Sequence, residues 1–148
     1  MGTGTVHIHR VVRAPPERVC RAFLDAPALA KWLPPFGFTG TVHQLDARVG
    51  GSGRMSFTHL GRGHAHSFGG DYLELRPFET IRDTAVFDDP NLPGQMQTTV
   101  NLRAVLGGTD VAVLQEGIPA VIPLEMCHLG WQESITQLLQ WVEPEISV

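Results

Sequence analysis

The sequence predicts an α+β fold: a curved antiparallel sheet of about seven strands wrapped on one long C-terminal helix, with two short helices after the first strand. Three observations carry this. The closing stretch VIPLEMCHLGWQESITQLLQWV repeats its apolar residues at steps of four and three, the period of a helix. Most of the chain before it alternates apolar and polar residues in short runs, as a half-buried strand does. Glycine pairs and other tight-turn residues separate those runs, which favours hairpins in succession and hence a meander.

Thr3 to Val12 reads as the first strand, with Val6, Ile8 and Arg10 on one face and His7 and His9 on the other. Ala14-Pro15-Pro16 breaks it, and Glu17 opens a short helix with Val19, Ala22 and Phe23 on one side. Pro27 to Trp32 adds a second helical segment, ended by Pro34-Pro35. Phe38 to Val49 is expected to be a strand, turned by Gly50-Gly51 into Gly53 to Leu60, where Met55, Phe57 and His59 alternate with Arg54, Ser56 and Thr58. Gly61-Arg62-Gly63 makes a hairpin into His64 to Leu75, and Gly69-Gly70 inside that strand marks a bulge or a close backbone approach. Pro77 turns the chain into Thr80 to Phe87, and Asp88 to Gly94 forms the longest loop. Gln95 to Val105 and Thr109 to Glu116, joined by Gly107-Gly108, complete the sheet.

The terminal helix is expected from Val121 to about Val142. Leu124, His128, Trp131, Ile135, Leu138 and Val142 make its apolar stripe, widened by Cys127, Ser134 and Trp141. Leu129, Gln132, Glu133, Thr136, Gln137 and Gln140 make the wetter side. Pro123 suits a first turn, Glu125 suits the positive end of the helix dipole, and Pro144 stops the helix. At ~1.5 Å per residue the helix is roughly 30 Å long, enough to cross a small domain.

Length and composition bound the function. The 148 residues fit a single domain over 1–148, and 43% hydrophobic content supports a core that needs no disulfide or metal staple. A net charge of −4 without any basic block argues against a nucleic-acid or anionic-membrane surface. Cys20 and Cys127 fall on separate predicted helices and read as reduced thiols. MGTGTVHIHR has no apolar signal core, and no apolar run reaches the ~20 residues of a membrane span, so a cytoplasmic protein is expected.

In their order along the chain, RAPPERVCRAFLDAPALAKWLPP, LDARVGGSGRMSF, GGDYLELRPFETI, GTDVAVLQEGIP and GWQESITQLLQWVE resemble the helix-grip, START-like superfamily, also called SRPBCC. Within that superfamily, which also holds polyketide cyclases, the likeness is to the activator of heat-shock protein 90 ATPase homologue type. The resemblance covers nearly the whole chain and implies an elongated, mostly apolar cavity between sheet and terminal helix. It implies no single function, since the superfamily holds lipid carriers, ligand-binding proteins and cofactor-free cyclases.

If such a cavity exists, the residues expected to line it are Trp32, Met55, Phe57, Phe68, Tyr72, His128, Trp131, Ile135 and Leu138. Gly130 lies mid-helix, where glycine costs ~1 kcal/mol against alanine; it leaves room for a ligand or allows close helix–sheet packing. His128, with a strand carboxylate such as Asp71 or Glu116, is the candidate acid–base pair. Asp46, Glu74 and Asp83 are further carboxylates that desolvation would turn into acids or bases, and Arg48 and Arg82 are cations able to pair with them. His59, His64 and His66, and separately His7 and His9, invite a metal reading, but no ligand spacing of a known zinc motif occurs and no cofactor is expected. The Gly50 to Gly53 run joins two strands and lacks the helix that a phosphate cradle needs.

Three functions remain. The first is a binding protein, monomer or homodimer, for a small apolar or aromatic ligand. The second is a cofactor-free enzyme of cyclase, dehydratase or hydrolase type. The third is a stand-alone co-chaperone-like module that binds a protein. An apolar pocket without convergent titratable groups favours the first, a His–carboxylate pair inside it the second, and a filled interior with an exposed apolar patch the third.

Overall fold

A computed structural model describes residues 3–143. Its elements run β1 (Gly4–Val12), α1 (Pro16–Leu24), α2 (Ala26–Trp32), β2 (Phe38–Leu45), β3 (Ser52–His59), β4 (Ala65–Arg76), β5 (Thr80–Phe87), β6 (Met96–Val105), β7 (Gly108–Ile118) and α3 (Leu124–Val142). The seven strands form one sheet in the order β1-β7-β6-β5-β4-β3-β2, with every neighbouring pair antiparallel. From β2 to β7 each strand lies beside the next, as hairpin turns require. β1 instead pairs with β7, so α1 and α2 carry the chain from one sheet edge to the other.

Local chemistry explains where elements start and stop. Pro15 and Pro16 open α1, and the Asp25 side chain accepts from the Ala28 N–H at 3.1 Å to cap α2. β2 ends at Leu45 rather than Val49, because Asp46 to Gly51 fold on themselves: the Gly51 N–H reaches the Arg48 carbonyl at 2.8 Å, and the Arg48 guanidinium holds the Asp46 carboxylate at 2.8 Å. α3 begins at Leu124, not Val121; Pro123 precedes it in extended conformation with ψ at 129°. The helix ends at Val142, with the Glu143 N–H on the Leu139 carbonyl at 2.9 Å, and Pro144 lies outside the described residues.

The register also settles the glycine pair in β4. The bulge against β5 lies between Tyr72 and Glu74, not at Gly69-Gly70. The pair answers to close approach instead: a Cβ on Gly70 would overlap the Thr84 carbonyl, and one on Gly69 would lie 2.6 Å from the Gly53 carbonyl oxygen. Phe68 and Tyr72 therefore keep the same face.

The core is solid at one end of α3 only. Ile135, Leu138 and Val142 are buried among Val19, Phe23 and Trp32 of α1 and α2 and the inner residues of β6 and β7, such as Val100 and Val111. A smaller cluster of Val6, Met96 and Ile118 lies at the other end, and Trp131 touches both. Among the described residues no helix is long and apolar enough to cross a membrane.

Candidate functional site

Between the two clusters, the sheet and the first half of α3 stand apart around a pocket of about 540 Å³. Alternation along each strand builds its walls. Met55 and Phe57 come from β3, Phe68 and Tyr72 from β4, and Ile81, Asp83, Ala85 and Phe87 from β5. β6 adds Met96, Thr98 and Val100, and β7 adds Gln115. α3 closes the space with Cys127, Gly130, Trp131 and Ser134. The rings of Phe57 and Phe68 meet edge to face at 5.0 Å, and those of Phe68 and Phe87 at 6.1 Å.

One row of this apolar wall is polar. Tyr72 pairs in register with Asp83, Asp83 with Thr98, and Thr98 with Gln115, across four adjacent strands. Trp131 Nε1 donates to Gln115 Oε1 at 3.0 Å, and Gln115 Nε2 donates to Thr98 Oγ1 at 3.3 Å. The half-buried Asp83 carboxylate has no hydrogen bond or ion pair among the described residues. Removal from water disfavours its charged form and pushes its pKa up to about 7. The Tyr72 phenol is raised well above its usual value, by burial first and by the nearby Asp83 charge second.

Of the nine residues expected to line a cavity, Met55, Phe57, Phe68, Tyr72 and Trp131 border the pocket, and Trp32, His128, Ile135 and Leu138 do not. Trp32 is fully buried, its Nε1 donating to the Ala22 carbonyl at 2.9 Å and its ring edge-on to Phe23. Ile135 and Leu138 sit on the half of α3 that α1 and α2 have plugged. His128 is exposed and borders a shallow groove over β1 with Leu124, Val6 and His7. The reason is rotational. Each residue advances a helix by about 100°, so the side chain next to Cys127 points towards the β1 edge rather than the pocket. No acid–base pair between His128 and a strand carboxylate forms.

The remaining candidates separate in the same way. Glu116 is exposed and outside the pocket lining, and Asp71 reaches the lining only as an exposed residue. Glu74 is held by Arg76 at 2.8 Å and by Arg82 at 3.1 Å, away from the pocket. His59 Nδ1 accepts the Gly61 and Arg62 N–H groups at 3.1 and 3.0 Å, so it caps the hairpin. His9 contacts the Asp110 carboxylate, and His7 is exposed. Among the described residues no group of three or more His, Cys, Asp or Glu side chains is placed to hold a metal. Cys20 and Cys127 are free thiols, the latter with its pKa raised by burial.

Gly130 does not mediate close packing. A Cβ there would meet only Pro35 Cβ, at 3.9 Å, and the position opens on the pocket. Sequence reasoning passed over Thr98 and Gln115 and did not separate Asp83 from the other acids. The signal was present, since each occupies an inward position in a strand whose same-face neighbours are apolar: Ile81 and Ala85, Met96 and Val100, Val111 and Val113.

Residues 13–143 match the family described as Activator of Hsp90 ATPase homolog 1-like protein. No curated protein matches the sequence. Among solved structures, the chain is similar to a crystal structure of a Chromobacterium violaceum protein, with 56% identity, a TM-score of 0.94, and coverage of 95% of this chain and 98% of that one. A Rhodobacter sphaeroides protein at 20% identity has a TM-score of 0.82 over 95% of each chain. A Staphylococcus epidermidis protein, also at 20%, has a TM-score of 0.77 over 100% of this chain and 97% of that one. The last two speak to the fold alone.

Proposed function

The chain belongs to the Activator of Hsp90 ATPase homolog 1-like family, and from that premise we propose that it binds a small, largely apolar molecule between the sheet and α3. The pocket of about 540 Å³, walled by the Phe57, Phe68 and Phe87 rings and by Trp131, is the observation that carries this reading. A space of that size suits a guest of two or three fused rings, or a chain of similar bulk. Burying 200 Å² of apolar ligand surface contributes about 5 kcal/mol before the costs of association, at roughly 25 cal/mol per Å². The polar row of Asp83, Thr98 and Gln115 gives the guest an orientation.

The test is direct binding of Nile red, an uncharged dye that fluoresces in apolar surroundings, to the purified protein. We expect saturable binding that weakens clearly in Trp131→Ala. Equal affinity in a folded Trp131→Ala protein would remove the pocket from consideration. A thermal-shift screen of apolar compounds then narrows the ligand, because a guest that binds only the native state raises its stability by mass action.

A further inference from the structure

Asp83 is a half-buried carboxylate that faces the pocket, and no hydrogen bond or ion pair among the described residues reaches it. An unpaired buried carboxylate is costly, and proteins meet that cost with a cation or with hydrogen-bond donors. Neither comes from the pocket wall. Its neighbours in register are Tyr72 and Thr98, and Gln115 beyond them is already engaged with Trp131 and Thr98. The basic side chains of the lining are Arg54 and His66; both are exposed, and Arg54 is held by Asp88 at 2.5 Å.

We propose that Asp83 anchors a protonated amine, so that the pocket selects molecules with an apolar or aromatic body ending in an ammonium group. The inference rests on the pocket reading above and names its ligand class. An ammonium group supplies the charge-assisted hydrogen bond that Asp83 lacks. Tyr72, Trp131 and Phe68 add ring faces to which a cation is attracted in a dry site. A carboxylic acid guest, by contrast, brings a second negative charge beside the first.

The pH dependence follows from the groups around the site. Besides Asp83, the ionisable groups of the lining are Tyr72 from β4, Cys127 from α3, and Arg54, His66 and Asp71 further out on β3 and β4; the facing residues of β6 and β7, Thr98 and Gln115, carry no ionisable group. Burial holds Tyr72 and Cys127 neutral around pH 7. Asp83 is then the deep group that changes charge near neutrality, and an amine guest gains affinity as it ionises.

The experiment is displacement of Nile red by a matched set of naphthylethylamine, naphthylethanol and naphthylacetate. At about pH 8 we expect the amine to displace at roughly tenfold lower concentration than the alcohol, and the acid to be weakest. In Asp83→Asn the preference for the amine over the alcohol should fall below about threefold. In the wild type the same preference should shrink several-fold on going to about pH 5.5, a measurement that stands even where the variant fails to fold. Equal displacement by amine and alcohol, an amine preference that survives Asp83→Asn, or a flat pH profile overturns the amine site and leaves the pocket intact. Failure of Nile red and of all three naphthyl compounds to bind overturns both.

Discussion

Trp131 and Gln115 face each other across the pocket, with the indole Nε1 donating to the amide Oε1 at 3.0 Å. Gln115 donates onward to Thr98, so one helix side chain is tied to two strands at the place where packing is absent. Trp131→Phe keeps most of the ring but leaves the Gln115 oxygen facing an apolar space, and we expect a loss of about 1 kcal/mol in urea unfolding. Adding Gln115→Leu removes the orphaned acceptor and should recover most of that loss, since replacing both partners is nearly neutral. A double variant as unstable as the sum of the singles would mean that the two side chains are not coupled.

Gly70→Ala tests the close approach in β4. The added methyl would collide with the Thr84 carbonyl, which is backbone held in the sheet and cannot swing away. The expected cost is about 2–3 kcal/mol, read as a lower midpoint in denaturant. Gly53→Ala is the control, because its Cβ would make ordinary contacts, with Leu45 at 3.4 Å and the Gln44 carbonyl oxygen at 3.6 Å.

The contrast between these glycines shows what sequence could and could not convey. Hairpin order from Phe38 to Glu116 and the terminal helix were legible, because turn chemistry and the periods of strand and helix are local properties; Gly69-Gly70 was legible only as a bulge or a close approach. The partner of β1 was not, since pairing with β7 depends on where two short helices deliver the chain. On α3 the stripe gave the buried side at Ile135, Leu138 and Val142, where packing is dense. It misplaced His128, because a stripe wide enough to be seen spans both the pocket and the β1 edge. Hydrophobic periodicity reports which side is covered, not whether the space beneath is filled. That distinction depends on α1 and α2 reaching only half the length of α3.

Gly130→Ala turns the open space at the helix into a measurement. Alanine in a helix interior is favoured over glycine by about 0.5–1 kcal/mol, and here the methyl meets nothing nearer than Pro35. We therefore expect a more stable protein with slightly weaker Nile red binding, since the methyl enters the pocket. A less stable variant would show that the helix and the sheet touch at this point.

The pH dependence of stability gives Asp83 its own signature, independent of any ligand. Its folded-state pKa is raised to about 7, whereas an unfolded aspartate titrates near 4. Between those values the folded protein holds a proton that the unfolded chain releases. The resulting stability is complete below about pH 4, declines as pH rises towards about 7, and is gone above it. Asp83→Asn keeps the shape of the side chain and removes the titration. Stability of the variant minus that of the wild type should then grow across that window and level off at roughly 2–4 kcal/mol, with pocket water pulling the figure to the lower end. Other titrating groups, such as Glu143, whose pKa is lowered chiefly by its hydrogen bond from the Arg13 backbone, act equally on both proteins and cancel in the difference. A difference curve that stays flat from acid to neutral pH would mean that Asp83 keeps its charge in the folded state, and would place its carboxylate in water rather than against the pocket wall.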